Sequence, residues 1–219
     1  LFGARQRNPL VELPVGARAA QESVTHCLIT HCQKGHFDHQ DRAGTQWLRE
    51  RQIPVICTPH DARYLRQRGL NVQVLLPEHE YPGPFLGGRI RTIRCTHGLG
   101  MIGCLMGHGV GFLIEMPGEP SLYLAGDTLL TDTVRACVRE HRPAVSVVPA
   151  GGARFDLSGD IIMGIDEVIE FARLSGKAVV ANHLEAISHC PVSRLALAEA
   201  ATRAQVELLI PQDGEVLAF

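Results

Sequence analysis

Four ionisable residues stand just past the ends of four apolar runs. His31 closes Val24–Thr30, His97 comes two residues after Ile90–Cys95, Asp127 follows "SLYLAG" and His183 follows "KAVVAN". The stretch "ITHCQKGHFDHQD" (29–41) adds His36, Asp38, His39 and Asp41. An imidazole or carboxylate beside a core must be paired, protonated or metal-bound. Any one of these histidines alone would more often be a hydrogen-bonded structural residue, but four at equivalent places change that balance. Nitrogen and carboxylate oxygen suit zinc, manganese or iron, and the shortage of local thiolates argues against a closed structural zinc site. An aspartate can bridge two cations, which a neutral imidazole cannot. Two such cations can share a hydroxide, since water on zinc ionises at about pKa 7. That nucleophile needs neither Ser nor Cys, and the chain has no GxSxG motif and no legible Cys–His pair.

These residues need rigid elements behind them. Strand-like runs are Val24–Thr30, Ile53–Thr58, Val72–Leu76, Ile90–Cys95, Val110–Glu115, Ser121–Ala125, Ala144–Val148, Lys177–Ala181 and Val206–Ile210. Leu130, Val134, Cys137, Val138 and His141 share one helical face, as do Ile165, Val168, Ile169 and Ala172. Pro191 suits an early helical position ahead of the Ala- and Leu-rich stretch Val192–Arg203. Residues 1–20 read as irregular, and the first-half strands alternate mainly with turns. The expectation is a single α/β domain over 1–219, with helices covering the sheets and ligands gathered at the C-terminal strand edge.

Composition narrows the partners. The chain has 219 residues, a net charge of −2 and 20% charged residues, so no basic field argues for nucleic acid. No apolar run approaches a membrane span and no leader pattern is visible, although the sequence opens at Leu1 rather than Met. Seven scattered cysteines with no CxxC pair read as reduced, which places the protein in the cytoplasm. A small molecule is the expected substrate, and the oligomeric state is not legible.

The stretches "THCQKGHFDH", "CTHG" (95–98), "LAGDT" (124–128) and "NHLEA" (182–186) resemble the ligand pattern of the metallo-β-lactamase superfamily of metal-dependent hydrolases. "RNPLVELP" (7–14), "AGGARF" (150–155), "IIM" (161–163), "NHLEAISHCP" (182–191) and "PQDGE" (211–215) resemble the branch that includes ascorbate-6-phosphate lactonase-like enzymes. The resemblance runs over nearly the whole chain. It implies a four-layer αββα sandwich with the site at one edge, and first strands upstream of "RNPL" that this chain lacks.

Two registers fit the opening stretch. Without a gap, His31, Gln33, Gly35 and His36 occupy the four family ligand places, which would leave a one-metal or non-catalytic site. With three residues inserted after Cys32, His36, Asp38 and His39 restore HxDH, and this register is preferred because Gly has no ligating side chain. The resemblance then implies two divalent ions, zinc first with manganese or iron as alternatives. His31, His36 and His97 would hold one, Asp38, His39 and His183 the other, and Asp127 would bridge. Asp38 and His189 are the expected catalytic groups, the latter as proton donor to the leaving group; His189 could equally cap the following helix. The implied activity is attack by a metal-bound hydroxide on an ester, lactone or phosphoester, with a degenerate binding protein or a nuclease as alternatives. Glu185 could orient a ligand imidazole, and Arg154 could meet an anionic substrate. "GLGMIG" (98–103) is a literal GxGxxG, but Gly107, Gly109 and Gly111 argue against a helix there, and a mouth loop with a solvated His108 is expected. His26, His60, His79 and His141 show no partner pattern.

Overall fold

The structure is a computed structural model that describes residues 8–32, 39–76, 82–100, 103, 107–155 and 159–219. Gln33, Gly35, His36 and Asp38 therefore lie outside the described residues, as does His79. A three-stranded parallel sheet is formed by β1 (Cys27–Leu28), β2 (Val55–Cys57) and β3 (Val72–Val74). A six-stranded sheet runs in the order β11-β8-β7-β6-β5-β4. Its strands are β4 (Gly83–Phe85), β5 (Gly88–Arg94), β6 (Val110–Glu115), β7 (Leu122–Leu124), β8 (Val145–Pro149) and β11 (Ala178–Asn182). The hairpin β9 (Arg154–Phe155) and β10 (Gly159–Asp160) stands apart.

Alternation along the strands builds the layers. Phe112 and Ile114 of β6, Ile90 of β5 and Leu124 of β7 meet Leu28 and Leu75 between the two sheets. Leu113, Ile93 and Tyr123, one residue out of phase with these, face the other way. There they pack against α4 (Asp132–His141), α5 (Ile165–Ser175) and α6 (Arg194–Ala204). On the outer face of the small sheet, Val55 and Cys57 pack with Leu48 of α2 (Arg42–Glu50) and Leu65 of α3 (Pro59–Arg66). The result is the expected αββα order.

Several elements differ from expectation. Helices α2 and α3, not turns, link β1 to β2 and β2 to β3, because parallel neighbours need a crossover. Their few apolar residues hide them from periodicity; Leu48 is the one buried residue of α2. A short helix, α1 (Ala17–Glu22), occupies part of the segment read as irregular. The Val24–Thr30 run pairs only at Cys27–Leu28, and Val206–Ile210 contributes a single bridge from Leu209 to Val180. His141 is exposed at the end of α4, where it leaves the buried face of Val134, Cys137 and Val138. Helix α6 begins at Arg194, after Ser193, whose hydroxyl accepts from the Ala196 N–H at 3.1 Å, so Pro191 precedes the helix. In the glycine-rich segment, the Gly103 N–H reaches the Leu99 carbonyl at 3.3 Å. That i to i+4 bond differs from the loop expected here; glycine costs only about 1 kcal/mol per helical position, too little to forbid helical hydrogen bonding.

Candidate metal centre

The ends of β1, β5, β7 and β11 reach one edge of the fold, and the side chains just beyond them converge. Four imidazole ε nitrogens surround Oδ2 of Asp127: His39 at 3.2 Å, His183 at 3.6 Å, His97 at 3.8 Å and His31 at 3.9 Å. His31, His97 and Asp127 are buried. The His31 and His39 rings lie 4.1 Å apart by centroid, and those of His31 and His97 5.4 Å.

Each arm is fixed by the backbone around it. The His97 Nδ1–H donates to the Ile161 carbonyl at 2.8 Å, and the Ile161 N–H is held by the Ala153 carbonyl, so the β9–β10 region orients this ring. That bond settles the tautomer and turns Nε2 toward Asp127. Burial pulls the His97 pKa below its ordinary value, against the pull of the Ile161 carbonyl and Asp127, so Nε2 presents a lone pair. A lone pair aimed at a carboxylate oxygen is an arrangement that a cation between them reconciles. Metal bonds of about 2.0–2.2 Å place neighbouring donors roughly 3–3.6 Å apart, close to the spacings seen around Oδ2. The donor set fits a divalent metal.

Asp127 is supplied by the turn after β7. Burial pushes its carboxyl up, but the hydrogen bonds and charges of His183 and His39 outweigh burial and hold it well below the usual range. Thr128, fully buried, ties three loops together. Its Oγ1 accepts from the Thr96 N–H at 3.0 Å and donates to the Leu129 carbonyl at 2.9 Å, while its own carbonyl accepts from the Met163 N–H at 3.0 Å. A Cβ on Gly126 (φ +67°) would lie 2.9 Å from the Val110 carbonyl, so glycine is required in this turn.

His183 sits in left-handed backbone (φ 61°), as does Glu185 (φ 59°), a conformation that costs non-glycine residues about 1–2 kcal/mol each. Strong contacts hold the loop. Arg194 contacts both Glu185 oxygens through its main-chain N–H (3.0 Å) and Nη1 (2.6 Å), donates from Nε to the Pro211 carbonyl (2.8 Å), and pairs with Asp213. On the other side, Leu10 N–H bonds the Ala186 carbonyl at 2.8 Å and Asn8 Oδ1 accepts from the Ser188 N–H at 3.0 Å. A Cβ on Gly151 would fall 2.2 Å from the His183 carbonyl, which explains the bare backbone in "AGGARF". His183 Nδ1 lies 3.3 Å from Cys190 Sγ. Burial opposes charge on His183, yet Asp127 and Cys190 push its pKa up to about 11. A divalent cation would displace this proton on binding.

The structure thus brings together His31, His39, His97, Asp127 and His183. His36 and Asp38 are outside the described residues, and His189 lies exposed at the end of the turn that begins at His183. Glu185 turns to Arg194 rather than orienting an imidazole, because the left-handed loop directs it toward α6. Asp41 caps α2, accepting from the Gly44 N–H at 2.6 Å. Arg154 is exposed in β9. Thr128, Arg194 and the Ile161 carbonyl escaped sequence reasoning because their roles are contacts between distant loops. His60, Asp61 and His108, two of them set aside from sequence, also cluster.

A model described as the beta-lactamase superfamily domain matches residues 1–183. The chain is 31% identical to the UPF0173 protein YddR of Bacillus subtilis over 97% of its own length and 83% of that protein's. It is 29% identical to a UPF0173 metal-dependent hydrolase of Xanthobacter autotrophicus over 60% of the chain and 56% of the relative. Among solved structures, an isothiocyanate hydrolase from Delia radicum gut bacteria aligns with a TM-score of 0.88 at 30% identity, covering 100% of this chain and 86% of that one.

Proposed function

The chain belongs to the metallo-β-lactamase superfamily of metal-dependent hydrolases, and on that premise we propose that it hydrolyses a small electrophilic molecule at the centre built on Asp127. The observation that carries this reading is the convergence of four imidazole ε nitrogens on one buried carboxylate oxygen. The candidate substrates are an ester, a lactone, a phosphoester or, by likeness to the solved hydrolase, an isothiocyanate. Two divalent ions, zinc first, would be held by His31, His36 and His97 and by Asp38, His39 and His183, with Asp127 shared. The closeness of His39 to Asp127 supports the inserted register over the ungapped one. When bound, such ions supply Lewis acidity, which polarises the electrophile and acidifies water.

The protein's own groups do the rest. Asp127 keeps its negative charge in a buried place because His39 and His183 face it. Ile161 holds His97 in the tautomer that leaves Nε2 open to a ligand bond. His189, exposed near the edge, delivers a proton from its ring nitrogen to the leaving group. Arg154, exposed in β9, meets an anionic substituent where the substrate carries one. Free cysteines in apolar surroundings support a reducing, cytoplasmic setting. Among the described residues, no helix is long and apolar enough to cross a membrane.

The test is elemental analysis of purified protein and its Asp127→Ala variant, each assayed on esters, lactones, phosphodiesters and isothiocyanates. The variant is expected to lose bound metal and roughly 10²–10³-fold or more in hydrolysis. Metal content and turnover that both ignore the substitution would falsify the proposal.

A further inference from the structure

A second cluster of donors stands behind the Asp127 centre and shares none of its side chains. Strand β2 ends at Cys57, Thr58 stands at the N-cap position of α3, and His60 and Asp61 lie in the first turn of that helix. β1, its parallel neighbour, ends toward His31 in the same direction, so the small sheet delivers two sets of ligands to one edge. His108 comes from the segment that enters β6. We propose that His60, Asp61 and His108 form a further cation site, suited to a borderline divalent ion of the zinc type.

Geometry supports it first. His108 Nε2 lies 3.6 Å from Asp61 Oδ1. The His60 and His108 rings stack with centroids 4.2 Å apart and an interplanar angle of 25°. One donor atom from each of the three residues lies within 4.8 Å of the others. Ligands at about 2.1 Å from a tetrahedral ion sit roughly 3.4 Å apart, so the His108–Asp61 pair already has the required spacing. His60 is exposed on the helix surface, and a rotation of its side chain completes the set.

Charge points the same way. Asp61 is fully buried, and a carboxylate out of water favours a cation beside it. Two imidazoles and one carboxylate make a donor set that zinc, copper or nickel accepts, with room for water or a fourth ligand. His108 stands edge-on to His31, with centroids 6.0 Å apart. An ion here would sit one imidazole behind a ligand of the Asp127 centre without sharing it.

The experiment is zinc binding by equilibrium dialysis with elemental analysis, on wild type, His60→Ala, His60→Ala/His108→Gln and Asp127→Ala. The double variant is expected to hold one equivalent of zinc less than wild type, separate from whatever the Asp127 variant loses. His60→Ala alone, at an exposed helical position where alanine is well tolerated, is expected to weaken that equivalent roughly tenfold or more. It serves as the decisive variant if the double one does not fold. Stoichiometry and affinity equal to wild type in folded His60→Ala overturn the site. So does an equivalent that fills only at millimolar zinc. Because Asp127→Ala is read in parallel, failure here is distinguishable from failure of the hydrolase centre.

Discussion

Replacing Thr128 by valine removes one buried hydroxyl and keeps almost the same shape. The hydroxyl is the acceptor for the Thr96 N–H and a donor to the Leu129 carbonyl, so the substitution strands a part-buried backbone donor. An unsatisfied buried group costs about 1–3 kcal/mol, and the added methyl recovers up to about 1 kcal/mol of that. The net loss is therefore centred on about 1–2 kcal/mol, between outer limits of about 0 and 3 kcal/mol. At ~2–4 °C per kcal/mol for a domain of this size, the melting temperature should fall by ~2–8 °C. Thr128→Ser keeps the hydroxyl and gives up only a methyl group. The two variants separate most clearly at the metal centre, because Thr96 precedes His97 and Thr128 follows Asp127. Valine should weaken zinc binding about 10–100-fold, as supporting hydrogen bonds do elsewhere, while serine stays near wild type. Urea unfolding of chelator-treated protein, followed by the single tryptophan, Trp47, measures the first effect; zinc titration measures the second. Valine and serine variants that bind zinc alike would refute the role given to the hydroxyl.

Three further outcomes follow from the same contacts. Gly151→Ala forces a Cβ to within 2.2 Å of the His183 carbonyl, so zinc affinity should fall sharply and stability by about 1–3 kcal/mol; an unaltered zinc isotherm would count against the packing described. Arg194→Ala should release the His183 loop and lower metal affinity, and Arg194→Lys should recover little of it, because a lysine cannot reach Glu185, Asp213 and the Pro211 carbonyl together. Full recovery by lysine would show that charge alone suffices. Stripping the metal with a chelator should lower the melting temperature, since an ion at about 100 times its Kd contributes about 2.7 kcal/mol; a melting curve indifferent to chelator would contradict the donor-set reading.

The parts of this molecule that follow simple periodicity are legible from residues alone. β6, β8 and β11 fall almost where their apolar runs predict, and α4 and α5 show their buried faces in the sequence. His31, His97, Asp127 and His183 stand out because strand ends precede them. Helices α2 and α3 are harder to see, since each buries only a narrow stripe against a three-stranded sheet. The requirement for crossovers between parallel neighbours would have exposed them had the sheet order been known. Glu185 misleads because two left-handed residues redirect its side chain, a backbone choice that residue type does not announce. His60 and His108 are far apart in the chain and meet only through tertiary packing.

Asn8 and Ser188, joined through the Asn8 side chain, are separated by 180 positions in the chain. With the Leu10–Ala186 bond, this contact makes the loop carrying His183 and the beginning of the described chain a single opening unit. His183 thus takes part of its local stability from a strap, the Asn8–Leu10 segment, that is distant from it in sequence. Release of that strap would be felt at the metal centre while the sheets behind it stay intact.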